Sequence, residues 1–357
     1  MAEDGCELRV LTTNTNGPNA VLDVDTRSEV ELAAGLHVRY CRRMMGEAVS
    51  PTLLRCLPGY LHWADVVHLT AVYSFPTIPA LLACKVLQKP VVWSLHGALQ
   101  RWPGTTRPQA KRMWEWICRL AAPKRLLLHV TSEEEVRQSR NRLPGIETVL
   151  ILNGVDVPEK TAHTEGNGVL RLLYLGRLHP IKAIENLLAA CKLLNGSSYT
   201  LTIAGSGDAS YETSIRRKIQ ELALSDRVKM VGEVLGEAKR KLFENADVAV
   251  VPSHTENFGM IVAEALAHAV PVIASKGTPW KRIEEIGCGL WVDNDPGSVA
   301  HAIERMGAMQ LGEMGQRGRR WMVEEFSWTR RAHEMIGCYN SLLSTRTSFS
   351  DKTRRAQ

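Results

Sequence analysis

Residues 248–275 read V-A-V-V-P-S-H-T-E-N-F-G-M-I-V-A-E-A-L-A-H-A-V-P-V-I-A-S. The opening run of apolar residues is a buried strand, Val248–Val251, stopped by Pro252. A polar loop follows, then Gly259, an apolar helix at Met260–Ala267 and a second apolar strand at Val272–Ala274. This strand–loop–helix–strand order is the unit of a parallel α/β sheet. Glu256 lies in the loop and Glu264 two turns into the helix, eight residues apart. In doubly wound sheets ligands bind outside the carboxyl ends of the strands, where this loop sits. The first N–H groups of a helix have no helical partner, and the dipole there favours negative charge. Asn257, Phe258 and Gly259 therefore make a candidate anion site.

The alternation extends in both directions. Upstream, strands are expected at Leu8–Thr12, Val66–Leu69, Val91–Leu95, Leu126–Val130 and Thr148–Leu152, with helices at Ile78–Leu87, Gln109–Ala121 and Glu133–Arg142. Residues 158–168, P-E-K-T-A-H-T-E-G-N-G, have no periodicity and read as a linker. The pattern then restarts with strands at Arg171–Leu175, Thr200–Ala204 and Val228–Met230, and helices at Ile184–Leu194, Tyr211–Leu222 and Glu237–Glu244. A last helix, Trp328–Leu343, follows Ser327 as N-cap. The expected organisation is residues 1–157 as an N-terminal Rossmann-like domain and 168–326 as a C-terminal one. Residues 327–343 form a helix packing back toward the first domain, and 344–357 a basic tail.

A chain of 357 residues is long for one core, which agrees with two domains. Apolar residues make up 45% and charged residues 23%, the composition of a globular protein. The net charge of +6 is too mild to mark a nucleic-acid binder and suits a polyphosphate substrate or an anionic membrane surface. The eight cysteines form no C-x-x-C pair or zinc spacing and read as buried thiols in a reducing cytosol. Residues 1–10 lack an apolar core and are not a signal peptide. No stretch approaches the roughly 20 apolar residues that span a bilayer.

Three further stretches place chemistry at strand ends. Residues 172–182, L-L-Y-L-G-R-L-H-P-I-K, put Arg177 and Lys182 beyond a strand that ends at Gly176, two cations suited to a diphosphate. Residues 200–208, T-L-T-I-A-G-S-G-D, run from a strand into a turn at Gly205 and Gly207. Residues 91–97, V-V-W-S-L-H-G, put His96 after a strand of the first domain. Of two D-x-D strings, Asp293–Asp295 reads as a turn and Asp23–Asp25 as a distant loop, so no metal site is expected. Between Arg101 and Arg125 lie seven Lys or Arg and one acid, Glu115, with Trp102, Trp114 and Trp116 among them. Such a stretch is either a helix lying on anionic lipid or a solvated helix whose tryptophans pack inward.

The E-x7-E of Glu256 and Glu264, the L-G-R-x4-K ending at Lys182, the I-A-G-S-G of Gly205 and Gly207, the S-x-H-G of Ser94 to Gly97 and the N-G-V-D of Asn153 to Asp156 resemble glycosyltransferase family 4. The resemblance runs from about residue 5 to residue 343 and implies a GT-B fold, two Rossmann-like domains facing across a cleft. By that resemblance Glu264 binds the donor ribose, Glu256 lies by the transferred sugar, Arg177 and Lys182 hold the diphosphate, and Gly176, Gly205, Gly207, Asn257, Phe258 and Gly259 belong to the donor site. Val231 would meet the base through its backbone, and His96 would contact the sugar or its phosphate. The implied reaction moves a sugar from a nucleotide-diphosphate donor to a glycan or lipid-linked acceptor with retention of configuration, in polysaccharide or lipopolysaccharide biosynthesis. It implies no cofactor and no metal, no nucleic-acid partner, and a cytoplasmic location with peripheral contact to the inner face of the membrane. In the family a first strand precedes the segment matching Leu8–Thr12, so the N-terminal domain is expected to lack that strand, with Met1–Gly5 as the end of the following helix. The competing readings are a sugar-nucleotide epimerase and an inactive nucleotide-sugar-binding protein.

Overall fold

The computed structural model describes residues 1–17, 20–46, 49–101, 105–162, 168–194 and 198–354, with side chains to residue 344. Trp102, residues 163–167 of the expected linker and the end of the tail lie outside the described residues. The chain divides into two compact units, Met1–Ile151 with Arg331–Gln357, and Leu152–Arg330.

The first unit holds strands β1 (Leu8–Thr13), β2 (Thr15–Asn16), β3 (Ala20–Val21), β4 (Val30–Ala33), β5 (Leu36–Cys41), β6 (Val67–Thr70), β7 (Val91–Ser94), β8 (Leu126–Val130) and β9 (Glu147–Leu150). Its helices are α1 (Pro51–Trp63), α2 (Thr77–Val86), α3 (Pro108–Ala121) and α4 (Glu133–Arg142). Strands β6-β7-β8-β9 form a parallel sheet in sequence order, and β1-β5-β4 form a separate one. β1 and β6 are thus edge strands of different sheets. Residues 2–5 form a turn, with Asp4 N–H donating to Met1 C=O, rather than the helix end expected there. β7 and β8 are buried along their whole length, as strands covered on both faces must be. One face packs Val91, Trp93 and Leu128 with helices α2 and α3. The other packs Val92, Leu127 and Ile151 against Met335 and Leu342 of the returning C-terminal helix.

A polar chain ties that helix to the sheet. The Tyr339 hydroxyl lies 2.6 Å from His68 Nδ1, His68 Nε2 lies 2.6 Å from Ser94 Oγ, and Ser94 Oγ lies 2.6 Å from His129 Nδ1. His129 Nε2 lies 2.9 Å from the Ile151 carbonyl. A carbonyl only accepts, so His129 donates through Nε2, and because burial favours the neutral ring its Nδ1 accepts from Ser94. Ser94 then accepts from His68 Nε2–H, and His68 Nδ1 accepts from Tyr339. With both rings neutral, as desolvation favours, every donor points toward Ile151. His129 is buried, and burial holds its pKa below the ordinary 6.5. Desolvation pushes His68 to about 4, yet the residue is exposed to solvent, so the buried His129 is the group that couples pH to stability.

The second unit holds β10 (Leu170–Leu175), β11 (Tyr199–Ala204), β12 (Val228–Gly232), β13 (Val248–Val251), β14 (Val272–Ser275) and β15 (Gly289–Val292). Helices α5 (Ile184–Leu193), α6 (Ala209–Glu221), α7 (Gly236–Glu244), α8 (Met260–Ala267), α9 (Arg282–Ile286), α10 (Pro296–Gly307) and α11 (Leu311–Glu325) follow, and α12 (Trp328–Arg354) leads back to the first unit. The parallel sheet has the order β12-β11-β10-β13-β14-β15, which reverses direction between β10 and β13. Alternate residues of β10 feed two cores: Leu172 and Tyr174 on the side of α5 and α10, Leu173 on the side of α8 and α11. At the amino end of the β10–β13 seam Arg171 holds Asp247 through Nε–Oδ2 at 3.0 Å and Nη2–Oδ1 at 2.7 Å, a fork-on-fork pair that fixes the register.

Beyond the carboxyl ends of these strands the loops touch backbone to backbone. A Cβ on Gly205 would lie 1.9 Å from the Gly176 carbonyl oxygen, and one on Gly207 2.0 Å from that of Leu178. A Cβ on Gly277 would lie 2.3 Å from the His254 oxygen. The neighbouring loop alone therefore requires glycine at 205 and 207.

Two outcomes are expected. Gly205→Ala should destabilise the second unit by roughly 1–3 kcal/mol, the cost of overpacking. Gly312→Ala, at an open helical position, should be neutral or stabilising, and chemical denaturation compares them. A histidine with a depressed folded pKa stabilises above its unfolded pKa, near 6.5, and that stability is lost as pH falls through the folded value. The melting temperature of the parent should therefore fall from pH 7 to pH 5, and that of His129→Gln should fall less.

Candidate functional site

The sheet's reversal between β10 and β13 leaves a crevice at their carboxyl ends, because the connections from the two strands run to opposite faces. The loop after β10 supplies Lys182 to this point and the loop after β13 supplies Glu256. Lys182 Nζ lies 2.5 Å from Glu256 Oε1, with both side chains largely buried. The same oxygen accepts from Ser253 Oγ at 2.7 Å, and Ser253 is itself buried. Lys182 ends a single 3-10 turn, Pro180–Lys182, whose start is capped by His179 Nδ1, so it precedes α5 rather than opening it. Arg177 is exposed at the tip of the β10 loop, and among the described residues no ion pair engages it. The Tyr174 hydroxyl donates to the Arg177 carbonyl at 3.1 Å and holds the Gly176–Arg177 turn.

The amino end of α8 opens beside this pair. Gly259, its N-cap residue, has φ +78°, a left-handed conformation that favours glycine, and a Cβ there would press on Trp280 at 3.3 Å. The Phe258 ring is buried against Trp280 and Phe326, and Trp280 Nε1 donates to the Phe258 carbonyl. This aromatic anchor sets where the first turn of α8 presents its N–H groups. Asn257 is half-buried in the same loop. One turn further Glu264 accepts from Lys239 Nζ of α7 at 2.7 Å, and both side chains keep partial access to solvent. Val231, near the end of β12, is half-buried, and the Gly232 carbonyl beside it takes the Gly205 N–H at 2.7 Å.

The fold of the second unit thus gathers Gly176, Arg177, Lys182, Gly205, Gly207, Val231, Glu256, Asn257, Phe258, Gly259 and Glu264 at one edge of its sheet. Lys239 and Ser253 complete the arrangement and were not picked out from sequence. Lys239 sits in the charged string 237–241, E-A-K-R-K, where nothing distinguishes it from its neighbours.

His96 belongs to the first unit. It is exposed beyond β7 with φ +47°, and Gly97 follows at φ +76°. Two left-handed residues in succession need support. Glu135, fully buried, supplies it: its carboxylate accepts from the Gly97 N–H, from Thr131 N–H at 2.7 Å and from Thr131 Oγ1 at 3.2 Å. The His96 ring also stands edge-on to His129 at 6.0 Å. Ser132-x-x-Glu135 has the capping-box pattern, a legible signal that was not read. Here Ser132 caps α4, and the glutamate reaches the His96 loop.

No cluster of metal-binding side chains exists among the described residues. Asp295 caps α10, Asp293 pairs with Lys276, and Asp25 closes a local turn on Arg27. No helix is long and apolar enough to cross a membrane among the described residues.

Two family models match in tandem, glycosyltransferase family 4 over residues 1–159 and glycosyl transferases group 1 over residues 158–321. An uncharacterized glycosyltransferase of Methanocaldococcus jannaschii is 33% identical over 177 residues, 47% of this chain and 44% of that protein. The chain spans about half the length of the curated relatives it matches. Sucrose-phosphate synthase of Thermosynechococcus elongatus superposes with a TM-score of 0.76 at 22% identity, covering 96% of this chain and 91% of that one. HepE of Anabaena, solved with UDP-glucose, superposes with a TM-score of 0.69 at 17% identity, covering 85% and 86% of the two chains. This chain belongs to glycosyltransferase family 4 and has the α/β fold of the GT-B enzymes.

Proposed function

We propose that this protein transfers a sugar from a nucleotide-diphosphate donor to a glycan or lipid-linked acceptor with retention of configuration, without metal or cofactor. The observation that carries the reading is the Lys182–Glu256 pair at the switch point, set beside the amino end of α8 with Glu264 one turn further. HepE, solved with UDP-glucose, supports a donor of this class. Cleaving the sugar–phosphate bond leaves negative charge on the diphosphate and positive charge on the ring. Lys182, the exposed Arg177 and the first turn of α8 are prearranged to stabilise the diphosphate. Glu256 Oε1 is already committed to Lys182 and Ser253. That suits a carboxylate orienting the sugar better than a nucleophile free to attack it. Glu264 accepts the ribose hydroxyls in this reading, with Lys239 steadying it, and Val231 meets the base. His96, on a loop held by Glu135, contacts the transferred sugar.

The buried thiols serve packing: burial pushes Cys84 to about 11 and Cys118, Cys191 and Cys288 to about 12. They fit a reducing compartment, and we place the protein in the cytoplasm, in the biosynthesis of a surface polysaccharide or lipopolysaccharide.

Calorimetry with a panel of nucleotide sugars tests the donor site. Glu264→Ala should weaken donor binding by about 1.5–3 kcal/mol, the range for hydrogen bonds to a charged group. Unchanged affinity in a folded variant removes the nucleotide from this edge. Turnover should persist in excess chelator, and loss restored by Mg²⁺ or Mn²⁺ would refute the metal-free mechanism. Nucleotide released only when acceptor is present separates transfer from epimerisation.

A further inference from the structure

Helix α3 of the first unit has an apolar face turned to solvent. Met113, Trp116 and Leu120 follow one another at helical spacing and are 62%, 60% and 54% exposed. Arg112 and Arg119 run along one side of this stripe, both exposed. The opposite face of α3 is fully used: Cys118 and Ala121 are buried, Trp114 donates to the Val72 carbonyl, and Glu115 is buried against Arg101 and Tyr73. The inward-packing reading of the tryptophans therefore holds for Trp114 and fails for Trp116.

Helix α2 extends the patch. Lys85 Nζ donates to the Leu120 carbonyl at 2.6 Å, which sets the end of α2 beside the end of α3. Leu82 and Val86, one turn apart around Lys85, are 48% and 80% exposed. The only acid in either helix is the buried Glu115. Arg107 and Lys124 at the two ends of α3 are exposed as well, and among the described residues no ion pair neutralises Arg107, Arg112, Arg119 or Lys124.

We propose that the α2–α3 face docks on an anionic lipid surface, with Trp116, Met113, Leu120 and Val86 entering the interface and Arg112, Arg119 and Lys85 meeting lipid phosphates. An apolar stripe flanked by cations, on two helices whose one acid is buried, is the pattern of an interfacial helix. A second copy of the chain is a poor occupant, because a two-fold contact would bring two unneutralised basic borders together. The surface is separate from the donor-site residues of the second unit, and the proposal does not rest on the donor chemistry.

Sedimentation of the full chain with vesicles of phosphatidylcholine, alone or with about one-third phosphatidylglycerol, tests it. The chain should bind the anionic vesicles, release in high salt and ignore the neutral ones. Each cation near such a surface contributes roughly five-fold in binding, so Arg112→Glu with Arg119→Glu should lower it at least ~25-fold. Trp116→Ser with Leu120→Ser should also weaken it. Arg216→Glu with Arg305→Glu changes the net charge equally in the second unit and should have little effect. Melting curves establish that each variant is folded. The proposal is overturned if anionic vesicles are not bound, if the control pair loses as much as the α3 pair, or if sedimentation velocity finds a dimer that Trp116→Ser dissociates. Donor affinity measured without vesicles should be the same in all variants, so failure here and failure of the donor site are told apart.

Discussion

The second unit is organised by one seam, the contact of β10 with β13. Its backbone pairing is short, Leu172 with Val248 and Leu173 with Ala249. Ion pairs close both ends: Arg171–Asp247 at the start of the strands and Lys182–Glu256 beyond their finish. The first is structural and fixes register. The second brings unlike charges together where a doubly wound sheet opens. The glycine contacts spread this order sideways, since each loop is seated against the backbone of the next. A loop seated in this way cannot shift alone, so an alanine at Gly205 would be felt at Gly176 and, through it, at Arg177.

Much of this was legible in the sequence. Strand–loop–helix periodicity gave β10 to β14 and α5 to α8 of the second unit because buried parallel strands read as short apolar runs with sharp ends, whereas β15 and α9 to α11 were not predicted. The positions of Lys182, Glu256, Glu264 and Gly259 followed from that frame. Less legible were β5 and α1 in the first unit. Leu36–Cys41 alternates apolar residues with His37 and Arg39, a strand signal that was passed over, and Pro51–Trp63 carries Pro58 in its interior, which interrupts the helical pattern. The partners of the key side chains were out of reach. Lys239 and Ser253 matter because of where tertiary structure puts them, and no spacing rule links residue 239 to 264. The glycines at 205 and 207 were read from the residues as a turn and assigned to the donor site by the resemblance, and loop-to-loop packing is a separate reason for glycine at both.

The first unit uses histidine in two ways. His96 stands at the surface on a left-handed turn that the buried carboxylate of Glu135 holds in place. His68 and His129 are committed to hydrogen bonds within the sheet and to α12. The residue type is the same, and what differs is the partners: among the described residues no hydrogen bond engages the His96 ring, while those of His68 and His129 are held in the chain that docks a helix.

The one-way donor chain from Tyr339 to Ile151 also constrains how this protein can diverge. Because its sense is set by a carbonyl that can only accept, a replacement at any one position must keep a donor on one side and an acceptor on the other, or its neighbour is stranded. Positions 68, 94, 129 and 339 should therefore drift as a linked set. A lineage that replaces one of them with an apolar residue should replace the others too, trading the polar thread for ordinary packing between the last helix and the sheet.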